Sequence, residues 1–223
     1  MRSTFTTLAI FVLVSSAVGS SAVGAQETAR DRAQRTLSPD VFAELSELAT
    51  EVSASGVPDE PLYNKALEGA AKRVPPARLV PAVREYATRL GEARQAFGAG
   101  ASVPLLVAGA DALQRGVPRD ALQSLPSDRP RSPMAVLALT ELIESGVPRD
   151  RAIQLLREVM QQRARDDNML DISARVRRLI NQGVPPADAI ERVRQALQRN
   201  RDNVGPAVPP GSEPITRDRL QNR

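Results

Sequence analysis

The chain has no cysteine, no histidine and no tryptophan in 223 residues. Without cysteine there can be no disulfide framework, no thiolate nucleophile and no lipid-anchored lipoprotein. Without histidine there is no imidazole base, and with both absent there is no Cys/His zinc site. Lysine is almost missing too: Lys65 and Lys72 are the only two among 30 basic residues. A serine–lysine dyad would need one of them, and no serine stands in a recognisable motif beside either. Aromatics are limited to four Phe and two Tyr, and Phe5 and Phe11 lie at the extreme N-terminus. That leaves Phe42, Tyr63, Tyr86 and Phe97. Their helical spacing favours core packing over a ligand groove. No later basic segment carries interleaved aromatics on which bases would stack, so nucleic acid is not favoured as a partner. Gly98-Ala-Gly-Ala-Ser102 is neither a phosphate loop nor a dinucleotide fingerprint.

What the chain does have is one short phrase, repeated. Gly-Val-Pro stands at Gly56–Pro58, Gly116–Pro118, Gly146–Pro148 and Gly183–Pro185. The glycine suits the left-handed position that closes a helix. The valine precedes a proline and is pushed extended. The proline has φ already set for a first helical turn, where its missing N–H costs nothing. Each phrase therefore reads as helix, corner, helix. Arg73-Val74-Pro75 is a degenerate copy without the glycine.

Apolar residues around these corners recur at helical spacing. Phe42, Leu45, Leu48 and Val52 follow Ser38-Pro39, a cap and first-turn pair. Leu62, Ala66 and Leu67 follow the first corner. Val83, Tyr86, Leu90 and Phe97 share a face in a stretch that Pro81 must either kink or start. Later stripes are Leu105, Leu106 and Leu113; Val136, Leu139 and Ile143; Ile153, Leu156 and Met160; Ile172, Val176 and Leu179; and Ile190, Val193 and Leu197. Helix pairs start near Pro39, Pro104, Pro133 and Asp167, the last three 29 and 34 residues apart. Hairpins of this length cannot bury a stripe alone and do so by stacking. The expectation is an all-α fold of tandem helical hairpins, α-solenoid-like or an irregular helical bundle, over residues 38–200.

The flanks read differently. Residues 1–25 have a positive start, a short apolar run (Leu8–Val14) and a small-residue site at Val23-Gly24-Ala25, the pattern of a cleaved secretory signal peptide. The run is short for a membrane span. Residues 26–37 are polar and read as a flexible lead-in or frayed helix. Residues 201–223 contain Val-Gly-Pro-Ala-Val-Pro-Pro-Gly and read as a flexible tail. The implied location is extracytoplasmic, periplasmic or secreted.

The net charge is only +4, and +3 without Arg2, despite a pI of about 10.2. Its distribution is uneven. Residues 27–72 carry five basic against nine acidic groups, a local −4, while 73–132 carry nine against five and 163–200 eight against five. Arg175, Arg178, Arg192 and Arg194 make the last pair a candidate site for an anionic polymer or lipid. Interspersed surface charge is the simpler reading. Glu44, Glu47 and Glu51 share one helix face. Paired carboxylates are the equipment of glycoside hydrolysis, but these have no facing partner, and a solvated stripe explains them. Asp166, Asp167, Asn168 and Asp171 offer clustered oxygens without the spacing or glycine of a calcium loop, and helix capping explains them. No catalytic, metal or cofactor residues are therefore assigned. The expected function is non-enzymatic: an exported module that binds another protein. Electrostatic binding of envelope polymer or lipid is the alternative, and a carboxylate-dependent hydrolase the least favoured.

Overall fold

The protein is described by a computed structural model covering residues 27–126, 132–161 and 166–203. The leader expected over residues 1–25 and the tail after Asn203 lie outside the described residues. Among those described there are ten helices and no strands: α1 (Ala29–Thr36), α2 (Pro39–Ala54), α3 (Glu60–Ala71), α4 (Pro76–Phe97), α5 (Val103–Gln114), α6 (Arg119–Gln123), α7 (Pro133–Glu144), α8 (Arg149–Gln161), α9 (Asp166–Asn181) and α10 (Pro186–Asn203). The chain is all-α, with helices packed as in a bundle.

The corners set this order. At Gly146 the backbone has φ +83°, and the amides of Gly146 and Val147 return to the carbonyls of Ile143 and Leu142 at 2.9 and 3.1 Å. Two otherwise orphaned carbonyls are satisfied, which is the Schellman closure. The same bond pair closes α2 at Gly56, α5 at Gly116 and α9 at Gly183. It also closes α3, where Arg73 takes φ +58° without the freedom of a glycine. Val57, Val117 and Val147 tuck under their turns and are buried. The prolines stand just before the next helix and not in its first turn. Pro118 is the extended N-cap of α6 (ψ 148°), Pro148 and Pro185 precede helices that begin at Arg149 and Pro186, and Pro58 is two residues before α3.

Pro81 neither starts a helix nor breaks one. α4 begins at Pro76 and continues unbroken past it, 22 residues in all. The proline falls in the second turn on an exposed side, so the ladder loses one bond, the one Pro81 would have given to the Ala77 carbonyl. The polar stretch read as a flexible lead-in or a frayed helix is a capped helix. Ala29–Thr36 is a helix with a capping box, Thr28 and Asp31 each bonding the other's backbone amide. Ala29 and Ala33, four apart, are buried where α1 lies on α3. Two small side chains suffice there because they let helices approach closely, and so no large apolar stripe announced the helix. At the other end, α10 continues to Asn203, so Arg201–Asn203 are helical.

Two hydrophobic cores result, and they meet at α5. One contains Leu45, Leu62, Val83, Leu90, Leu106 and Ala110 from α2–α5. The other takes in Ala96 at the end of α4 and Leu105, Ala108 and Ala112 on a different face of α5, and continues through α6–α10. In the second, the hairpins stack regularly: α5 on α7, α7 on α9, and α8 on α10. In the first, α4 lies against α2, α3, α5 and α6 in a less regular bundle. The seam between α4 and α5 is tight at Gly109, where a Cβ would sit 2.6 Å from Phe97 Cε2 and 2.9 Å from the Ala93 Cβ.

Candidate functional site: a polar cleft floored by Tyr86

α3 and α5 both pack on α4 and leave a trough between them. Each presents a stripe at intervals of four residues, the spacing that keeps side chains on one helix face. From α3 come Glu60, Asn64 and Glu68, with Lys65 beside them; from α5 come Val103, Val107 and Asp111. Tyr86 of α4 forms the floor, and the trough holds about 310 Å³. Asp111 is the one charged side chain in the helix Val-Pro-Leu-Leu-Val-Ala-Gly-Ala-Asp-Ala-Leu-Gln.

Tyr86 has two roles divided between its two ends. The residue is only 4% exposed and its ring belongs to the first core. Its hydroxyl lines the trough and has no hydrogen-bond partner among the described residues. No buried side-chain polar atom among the described residues lacks a partner, so this oxygen is open to the trough. Burial pushes the phenol up to about 12, and the carboxylates of Asp111 and Glu68 add to the effect. The group is therefore a protonated phenol throughout the physiological range. The Lys65 ammonium sits 5.5 Å from the Tyr86 ring centroid, within cation–π range. Lys65 also bonds Glu68 at 3.1 Å, and Lys72 holds the other Glu68 oxygen. Those two hydrogen bonds, Lys72 first, keep the Glu68 carboxyl below the usual carboxylate range. Glu60 and Asp111 form no ion pair within the described residues. At the rim Arg32 of α1 donates to Asn64 Oδ1 at 3.3 Å.

A wider groove of about 860 Å³ separates the N-terminal ends of α2 and α4. Asp40, Glu44, Arg84 and Glu85 line it, together with Ala77 and Pro81. Its charged side chains are exposed, and none is both buried and unpartnered there. Glu47 and Glu51 are exposed as well but do not line it. The three glutamates of α2 thus do not converge.

The arginines singled out at the last pair separate into two kinds. Arg194 reaches across from α10 and grips Glu158 of α8 with two bonds, at 3.0 and 2.8 Å, and takes Glu191 at 2.9 Å. Its side chain is 16% exposed. The Glu158 hydrogen bond raises its already high pKa, so its charge is permanent and spent within the fold. Arg175, Arg178 and Arg192 are exposed and form no ion pair within the described residues. Asp171 is exposed; the side chains at 166–168 lie outside the described residues. Among the described residues no group of three or more carboxylates is placed to hold a metal.

No family model matches the chain, and no curated protein or solved structure shows significant similarity to it. The site therefore stands on its own geometry. Sequence reasoning did not find it. The available signal was the pair of four-residue stripes, 60/64/68 and 103/107/111, with a carboxylate ending an apolar helix face.

Proposed function

We propose that the chain is an exported, non-enzymatic binding module for another protein, and that the Tyr86 cleft is where it engages that partner. The observation that carries this reading is a 96% buried tyrosine whose hydroxyl opens, unpartnered, onto a polar trough between helices. Concave sites with a few convergent polar groups and a perturbed titrating side chain are the usual form of a recognition site. Export is supported by the leader pattern of residues 1–25. Among the described residues no helix is long and apolar enough to cross a membrane. Docking through a broad apolar patch has little support: Val103, on the rim of this same trough, is the one large hydrophobic side chain that is exposed among the described residues. Recognition is therefore polar.

The second reading, binding of anionic polymer or lipid, rests on Arg175, Arg178 and Arg192, which stand exposed without ion-pair partners. One experiment separates the two. The full chain, its Asp111→Asn variant and an Arg175→Gln/Arg178→Gln/Arg192→Gln variant are immobilised and exposed to envelope extract of the source organism. The cleft reading expects a discrete protein retained by the first and third and lost by the second. Lipid or polymer retained by the first two and lost by the third would replace it with the electrostatic reading.

A further inference from the structure

The charges around Tyr86 define the kind of group the cleft accepts. Its walls carry three carboxylates (Glu60, Glu68, Asp111) and one ammonium (Lys65), and Lys72 beside the trough takes the other Glu68 oxygen, so the unmatched negative charge is that of Glu60 and Asp111. The ammonium is already satisfied by Glu68. What remains open is acceptor capacity: Asp111 and Glu60 without ion pairs, and the lone pairs of the Tyr86 hydroxyl oxygen. Arg32 adds one positive charge at the rim, directed at Asn64. Pro61, Val103 and Val107 supply the apolar wall. A long aliphatic stem lies along such a wall while its charged head meets carboxylates, as lysine and arginine do on protein surfaces. The space, about 310 Å³, suits one side chain and not a folded element.

We propose that the cleft between α3 and α5 accepts a lysine or arginine side chain of the partner protein, its stem along Val103 and Val107 and its cationic head between Asp111, Glu60 and the Tyr86 hydroxyl. This deepens the function proposed above and rests on it. The head group donates hydrogen bonds to Asp111 and Glu60, charge-assisted contacts that are stronger than neutral ones. Asp111 carries most of the specificity, because it alone among the carboxylates combines partial burial with the absence of an ion pair.

The test is a titration of the isotopically labelled full chain, followed through its amide proton and nitrogen resonances. Three probes are used separately: acetyl-lysine amide blocked at the α-nitrogen, acetyl-arginine amide and acetyl-glutamate amide. The expected result is saturable, salt-sensitive shifts from the two basic probes, confined to residues 60–68, 86 and 103–111, and none from the acidic probe. Asp111→Asn weakens that binding by about tenfold and Glu60→Gln by less, with circular dichroism unchanged. Shifts at these residues from the acidic probe alone would overturn the cationic assignment while leaving the cleft as the binding site. Basic-probe affinity unchanged in both Asp111→Asn and Glu60→Gln would overturn the assignment of the groups. No shift with any probe, together with undiminished partner capture by Asp111→Asn, would overturn both the ligand class and the cleft.

Discussion

In the hairpin stack, α5–α10, charged side chains join one repeat to the next. Arg149 of α8 meets Asp120 of α6 at 2.7 Å, Arg194 of α10 meets Glu158 of α8 at 2.8 Å, and Arg115 and Arg177 reach Glu144 and Glu141 at 3.7 and 4.0 Å. Ser173 of α9 is buried and donates to Glu141 of α7 at 2.6 Å. In α1–α4 the ion pairs stay local: Lys65 and Lys72 to Glu68 on α3 and its cap, Arg89 to Glu85 within α4, Arg35 to Glu27 beside α1. The first half also holds the four aromatics of the described chain, the wider groove, the acidic excess and, with α5 as its second wall, the Tyr86 cleft. One half thus uses its charges to hold register between repeats, and the other leaves carboxylates facing open troughs. A stack with regular repeats needs register; a bundle built around one long helix leaves gaps where neighbours on either side of it fail to meet.

The sharpest way to break this comparison is at the seam that both halves share. Gly109→Val places atoms where Phe97 and Ala93 already sit, and is expected to cost about 3 kcal/mol. Because α5 contributes to both cores, thermal unfolding should remain one transition at a lower Tm. Two separated transitions would mean that the halves are independent. Next in size is Gly146→Val inside the stack. The nearest foreign atom is 3.7 Å away, so the cost comes from forcing a β-branched residue to φ +83°. About 2 kcal/mol is expected from a melting curve. A smaller contrast separates the two classes of ion pair. Arg194→Ala should lose about 1–2 kcal/mol, since the pair is mostly shielded and Glu158 is left unmatched. Lys72→Ala, on an exposed pair, should stay within about 0.5 kcal/mol. The smallest effect has the opposite sign. Arg73→Gly relieves a left-handed non-glycine residue and should stabilise the first half by about 1 kcal/mol. No gain would mean that the Arg73 side chain compensates its own strain.

Gly-Val-Pro made the corners legible because each residue type answers a separate backbone demand, and no tertiary contact is needed to meet them. Stripes such as Val136, Leu139 and Ile143 were legible for the same reason: period alone identifies the inward face. Helix α1 was not, because its contribution is two alanines whose value appears only when α3 lies against them. Pro81 was ambiguous because sequence gives the cost of a helical proline but not whether packing on both sides of α4 offsets it. Arg194 read as part of a basic patch because Glu158 lies 36 residues earlier, and only stacking brings them together. Tyr86 was read as core, which its ring is. Its hydroxyl acquired a second role from Asp111, 25 residues on and across a helix boundary, a relation that no local pattern encodes.

The measurement closest to the central claim is the titration of Tyr86 itself, read from the ¹³Cζ resonance of labelled tyrosine in the wild-type chain and in Asp111→Asn. A phenol raised by burial and by the neighbouring Asp111 and Glu68 carboxylates should titrate at about 12, against 10.0 for an ordinary tyrosine. The sign follows from burial favouring the neutral form: stability is intact below the unfolded value and declines as pH rises from 10.0 toward 12. Removing the Asp111 charge should lower the midpoint, and Tyr86→Phe should abolish that alkaline decline. A Tyr86 midpoint at the ordinary value, unmoved by Asp111→Asn, would contradict the cleft on which the functional account stands.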